Sequence, residues 1–182
     1  MPFEVLSAIA AIGTFLVIAA TAVAALIQLR HIRANNELVT LKTVMAAWDS
    51  EAFQRAVRFV RHELPARMAD PAFRAEIDTR EPIDRITHPE LVVCDFWDTL
   101  GVYVMHGMIR ESAFLGIGTL AAAFWRLLSP TVAIMRRQRG RGVYAGFEYL
   151  ADTIEQLRAR FPDGYIPKSW QRPKLEDPWL GT

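Results

Sequence analysis

Apolar positions along this chain fall into two regimes. From Val5 to Leu29 they run for 25 residues without a charge; eight are Ala, and Ser7, Thr14, Thr21 and Gln28 are the polar exceptions. At about 1.5 Å rise per residue a helix of this run is roughly 37 Å long, enough to cross a hydrocarbon core of about 30 Å with some tilt. After Leu29 the pattern turns periodic. Ala34, Leu38, Leu41, Met45 and Trp48 recur at spacings of four and three, widened by Val39 and Val44. That is the stripe of an amphipathic helix continuing from the first run, since neither Pro nor Gly stands between Arg30 and Trp48.

The next apolar stripes are bounded by capping residues. Asp49 and Ser50 precede a helix from Glu51 to about Leu64, with Phe53, Val57, Val60 and Leu64 inward and Pro65 as its stop. Asp70-Pro71 starts a short helix, and Thr79 to Asp84 reads as a loop. Thr87 and Glu90 have the spacing of a capping box, opening the most apolar helix of this part, Glu90 to about His106. Gly107 ends it, and Ser112 is a candidate cap in the following turn. A helix from Thr119 to about Arg137 is expected to kink or split at Pro130. A basic, flexible turn follows, then a last helix from Val143 to Phe161, stopped by Pro162. The tail to Thr182 carries Pro167, Pro173 and Pro178 and reads as extended, with Trp170 and Trp179 available to pack.

The expected fold class is all-α: one N-terminal transmembrane helix continuing into a helical bundle of about five helices. The expected divisions are a short N-terminus, 1–4; a membrane span, 5–29; a helical domain, 30–161; and a Pro- and Trp-containing tail, 162–182. A secretory signal peptide accounts less well for the first run, because Met1 to Glu4 lack the basic residues of such a leader and the run is too long. Arg30, His31 and Arg33 follow the run, whereas Glu4 precedes it. Basic flanks stay on the cytoplasmic side, so the reading is single-pass, N-terminus outside and the helical domain in the cytoplasm. Ser7, Ala11, Thr14, Thr21 and Ala25 share one face of the span, a stripe of small residues that would let two copies approach closely.

Composition narrows function by exclusion. The 182 residues carry a net charge of +1, which does not suit a nucleic-acid binder. The single Cys94 excludes an intramolecular disulfide and a thiolate zinc cluster, and suits a reducing compartment. Gly116-Ile117-Gly118 lacks the preceding strand of a dinucleotide fingerprint, and His62-Glu63 lacks the second His of a zinc-protease motif. Glu90, Cys94 and Asp98 lie four apart on one helix face and are weak metal candidates; a solvated polar strip explains them equally well. Asp95 and Asp98 beside Cys94 disfavour a reactive thiolate.

The sharpest local signal is Arg136, Arg137, Arg139 and Arg141, four cations in six residues that can hold phosphate, anionic lipid headgroups or an acidic partner. Arg30 and Arg33 can add to a basic membrane-facing surface. A solvated loop on the positive side accounts for them about as well.

Several stretches together resemble a known family. They are Ala34-Asn35-Asn36-Glu37-Leu38 after the span, Trp48 before an acidic cap, Phe96-Trp97, Phe124-Trp125, the run from Pro130 to Arg136, and Phe147-Glu148-Tyr149-Leu150. This layout, over most of residues 1 to 160, resembles the bacterial domain-of-unknown-function 4760 family. The resemblance implies a small, mostly helical, membrane-associated bacterial protein, located in the inner (plasma) membrane. It supplies no catalytic residue and no cofactor. The function expected is a non-enzymatic, membrane-anchored interaction or regulatory module. The alternative is a protein that contacts anionic lipid or phosphate through the arginine cluster, with or without enzymatic activity. Expected partners are membrane lipid and a second copy of the chain or another membrane protein, and not nucleic acid.

Overall fold

The computed structural model describes residues 3–109 and 118–162. The candidate cap at Ser112, the Gly116-Ile117 pair and the tail with Trp170 and Trp179 lie outside the described residues, as do the side chains of Arg33 and Ala34. Every regular element among the described residues is helical. The chain divides into two compact units, Met1–Asp49 and Ser50–Thr182.

The first unit is one uninterrupted helix, α1 (Phe3–Asp49). It joins the uncharged run to the amphipathic stripe, as the absence of Pro and Gly between them requires. By length and composition it is able to cross a membrane. Phe15, Leu16, Val17 and Ile18 are each at least 60% exposed. Thr21 and Thr40 return their hydroxyls to the carbonyls of Val17 and Asn36, at 2.8 and 2.9 Å. Such bonds let a hydroxyl sit on a helix without an outside partner.

The second unit is a bundle of α2 (Glu51–His62), α3 (Leu64–Arg67), α4 (Pro71–Ile77), α5 (Glu90–Met105), α6 (Ala121–Arg139) and α7 (Ala145–Arg160), with a 3-10 turn at Gly118–Leu120. Its capping chemistry is local. Ser50 Oγ accepts from the Phe53 amide at 3.3 Å and starts α2. Asp70 Oδ1 accepts from the Ala72 amide at 2.8 Å, with Pro71 in the first turn of α4. Gly107, at φ +67°, closes α5.

α5 is the axle. Leu91, Val93, Cys94, Trp97 and Leu100 are at most 1% exposed. The Trp97 ring lies 5.8 Å from Phe124 of α6 and 6.3 Å from Phe147 of α7, and Phe96 lies 4.5 Å from Phe53 of α2. One aromatic cluster thus joins four helices.

Three local expectations are corrected. Pro65 does not terminate α2: the break comes at Glu63, and Pro65 lies in the first turn of α3, where its missing N–H costs little. Pro130 does not split α6, which runs unbroken from Ala121 to Arg139. Pro130 is on the exposed face, so the Arg126 carbonyl that loses its donor is open to water. Thr87 and Glu90 do not form a capping box: Pro89 occupies the N-cap, and the Thr87 hydroxyl donates to the Asp84 carbonyl at 3.2 Å.

Candidate functional site

The arginine cluster is the first candidate. Arg136, Arg137 and Arg139 belong to the last turn of α6, so the basic segment is helical until Gly140, whose φ of +89° ends it. Cations there favour the negative end of the helix dipole. Arg136 donates from Nε to the Val143 carbonyl at 3.0 Å and pairs with Glu148 of α7 at 2.7 Å, with its guanidinium 5.8 Å from the Trp125 ring centre. Arg137 pairs with Asp78 at 3.0 Å. Arg139 donates from Nε to the Thr79 carbonyl at 2.8 Å and from a terminal nitrogen to the Glu81 carbonyl. Arg80 answers in reverse, donating to the Gln138 carbonyl at 3.2 Å. These cations strap the 78–81 segment and the start of α7 to the end of α6. Arg141 is exposed in the turn beyond them, and Arg30 is exposed on α1.

The polar face of α5 is the second candidate. The structure does not bring Glu90, Cys94 and Asp98 together as a ligand set; among the described residues no group of three His, Cys, Asp or Glu can hold a metal ion. Each side chain has a separate task. Asp98 Oδ1 accepts from the Phe147 amide at 3.0 Å. Phe147 is in the first turn of α7, whose own N-cap, Tyr144, supplies no side-chain cap. Asp98 therefore caps a neighbouring helix, placing a carboxylate where free amides and the dipole want one. Asp95 takes a fork from Arg85, with bonds of 3.1 and 3.3 Å, and accepts from the Tyr144 hydroxyl at 2.9 Å. That hydroxyl bond and the burial of its ring hold Tyr144 in the left-handed region, φ 54° and ψ 36°. Cys94 is fully buried, and burial first, then the charges of Asp95 and Glu90, push its thiol well above the ordinary range. Such a thiol is a poor nucleophile at neutral pH.

The third arrangement was not anticipated. His88 is 2% exposed and lies between two carboxylates. Nδ1 is 2.8 Å from Glu90 Oε1, and Nε2 is 3.0 Å from Glu76 Oε2 of α4. The Phe73 ring packs against the imidazole at a tilt of 36°, with centroids 4.8 Å apart. Burial raises the Glu90 carboxyl above its usual range, opposed by its bond to His88 and by the charge of Arg67. The sequence signal is His88-Pro89-Glu90: with Pro89 at the N-cap, Glu90 is the first residue of α5 and its carboxylate meets His88 instead of a cap amide. The capping-box reading hid it.

The fourth is an open groove of about 670 Å³ between α6 and α7. Ala122, Ala145 and Ala151 leave room, Trp125 and Tyr149 supply aromatic surface, and Glu148, Asp152 and Glu155 supply acid. Glu155 pairs with Arg126 at 3.0 Å, Asp152 accepts from Gln156 at 2.7 Å, and Glu148 pairs with Arg136. The spacing of four and three from Glu148 to Glu155 was visible in the sequence as one acidic helix face.

No curated protein and no solved structure matches the sequence. The family described as domain of unknown function DUF4760 matches residues 15–154. This span takes in the end of the apolar run, the straps at the end of α6, the His88 cluster and the α5–α7 cap, and it establishes that the chain belongs to the DUF4760 family.

Proposed function

We propose that this chain is a single-pass, membrane-anchored interaction or regulatory module of the bacterial inner membrane, with the N-terminus outside and the helical bundle in the cytoplasm. The observation that carries the reading is the exposed, uncharged stretch of α1. Side chains such as Phe15, Leu16, Val17 and Ile18 stand open on a helix long enough to span a bilayer. Leaving a contiguous apolar surface of this kind in water costs about 25 cal/mol per Å², and a bilayer removes that cost. Arg30 and His31 at the end of the run support the orientation.

The polar groups of the bundle support a binding rather than a catalytic role. Asp95, Asp98, Arg136 and Arg139 are engaged in holding helices and loops to one another, and the Cys94 thiol is buried and kept protonated. Reporter fusions test the topology. A reporter active only outside the cytoplasm, fused after Thr182, stays silent if the reading is right; activity reverses the orientation. Recovery of the untagged chain in the soluble fraction after lysis removes the anchor.

Anionic lipid or phosphate contact through the arginine cluster is narrowed by the straps to Arg141 and the exposed part of Arg137, which is 59% accessible. The double substitution Arg137→Gln with Arg141→Gln then weakens binding of the full chain to phosphatidylglycerol vesicles, whereas unchanged binding removes that alternative.

A further inference from the structure

We infer that His88, Glu76 and Glu90 hold one shared proton that clasps α4 to the start of α5, and that loss of this proton opens the clasp on the Glu76 side. The argument begins with counting. A neutral imidazole has one N–H and one lone pair. Here both ring nitrogens face carboxylate oxygens, at 2.8 and 3.0 Å. With both carboxylates ionised and the ring neutral, one lone pair would face a negative oxygen across a hydrogen-bond distance at a buried site. Two N–H···O bonds, or one N–H···O and one O–H···N, need one proton more than that state has.

The surroundings favour keeping it. Glu90 is fully buried, and its Oε2 has no hydrogen-bond partner among the described residues. An ionised carboxylate with an unsatisfied buried oxygen is costly, so a positive or protonated neighbour is strongly preferred. Burial accordingly raises this carboxyl. The other charges that act on the cluster are Arg67 of α3, which stabilises ionised Glu90, and Cys94 of α5, which is held neutral. Asp84 contributes its backbone carbonyl to the His88 amide at 3.0 Å, and its carboxylate faces the Ile86 amide instead.

The two carboxylates differ in how they can respond. The Glu90 side chain is 0% exposed and has nowhere to go, whereas the Glu76 side chain is 58% exposed. When the proton leaves, Nδ1–H stays with Glu90, and Glu76 swings into water at little cost. What is lost is one charge-assisted bond between α4 and the segment leading into α5, beside the Phe73–His88 contact.

The test uses the full chain in detergent micelles, labelled with ¹⁵N in His and ¹³C at Glu carboxyls. At mildly acidic pH either both His88 ring nitrogens are protonated or one of the two carboxyls is. Raising the pH removes one proton, leaves a neutral Nδ1–H ring and increases amide exchange in α4 by about tenfold, after correction for base catalysis. In Glu76→Gln the amide satisfies either state of Nε2, so this increase disappears. A singly protonated ring beside two ionised carboxylates at the lower pH overturns the shared proton. An α4 response that persists unchanged in Glu76→Gln overturns the clasp.

Discussion

Gly101 of α5 and Gly146 of α7 meet backbone to backbone: a Cβ on Gly101 would overlap the Gly146 carbonyl group, and a Cβ on Gly146 would fall 2.6 Å from the Asp98 carbonyl oxygen. Two helices approach this closely only where both lack side chains. Gly101 lies one turn after Asp98 and Gly146 immediately precedes Phe147, so the close crossing is what brings that carboxylate within reach of the α7 amides. Gly101→Ala is expected to destabilise the bundle by about 3 kcal/mol, at the upper end of overpacking because the obstacle is backbone. Gly142→Ala, where an added Cβ meets nothing within 4 Å, is the control and should stay within about 0.5 kcal/mol. Chemical unfolding of the two variants in the same detergent decides it; equal stabilities would mean that the crossing yields.

Asp98 makes a second, separable prediction. It caps α7 from another helix, and N-cap losses cost about 1 kcal/mol. Asp98→Ala should cost about that much and raise amide exchange at Phe147 and Glu148. Asp98→Asn keeps an acceptor oxygen and should recover most of the loss. If the two variants are equally destabilised, the effect lies in packing against Gly146 and not in the cap.

These two relationships mark where the sequence stops being informative. Ser50, Asp70-Pro71 and Gly107 announce their helix ends because capping chemistry is local, and the starts of α2 and α4 and the end of α5 fall where those residues stand. On α5 the sequence points to Leu91, Val92, Phe96, Trp97, Leu100, Tyr103 and Val104 as core; Leu91, Trp97, Leu100 and Val104 are buried, whereas Val92, Phe96 and Tyr103 are half-buried, because apolar character reports burial only to within one helix face. Gly101 and Gly146 gave no such sign: their meaning depends on which helices cross. The arginines were seen as a cluster, but their partners, Asp78, Thr79, Glu81 and Val143, are set by the path of the loops. His88 and Glu90 were in view together and misread, because a Thr at cap spacing looked sufficient until Pro89 took the cap.

The arginine straps predict unequal effects within one cluster. Arg139 holds the 79–81 backbone through two donated bonds. Bonds from charged groups contribute about 1.5–3 kcal/mol, so Arg139→Ala is expected to cost about 2 kcal/mol and to expose the Thr79–Glu81 amides to exchange. Arg141→Ala, in the exposed turn, should change stability by less than about 0.5 kcal/mol. Comparable losses at both positions would show that the cluster acts through net charge and not through specific straps.

Alkaline pH should weaken the bundle through Cys94 and Tyr144. Burial is the leading cause that raises both groups, and for Tyr144 the neighbouring Cys94 and Asp95 add to it. A folded value above the unfolded one means that the unfolded chain gives up its proton first. The stability these groups contribute is therefore fully present below their unfolded values, about 8.5 for a thiol and about 10 for a phenol, and is lost as pH rises toward the folded values. Thermal unfolding of the full chain should begin to move to lower temperature above roughly pH 8.5 and fall more steeply beyond about pH 10. Cys94→Ala removes the first phase and Tyr144→Phe the second, each from a lower starting stability because a cavity or the bond to Asp95 is sacrificed. The same burial predicts that Cys94 reacts with a thiol reagent at the rate of unfolding at neutral pH. Rapid labelling of the native protein would show that the interior of α5 opens without unfolding, and the alkaline phases would then have to be assigned to other groups.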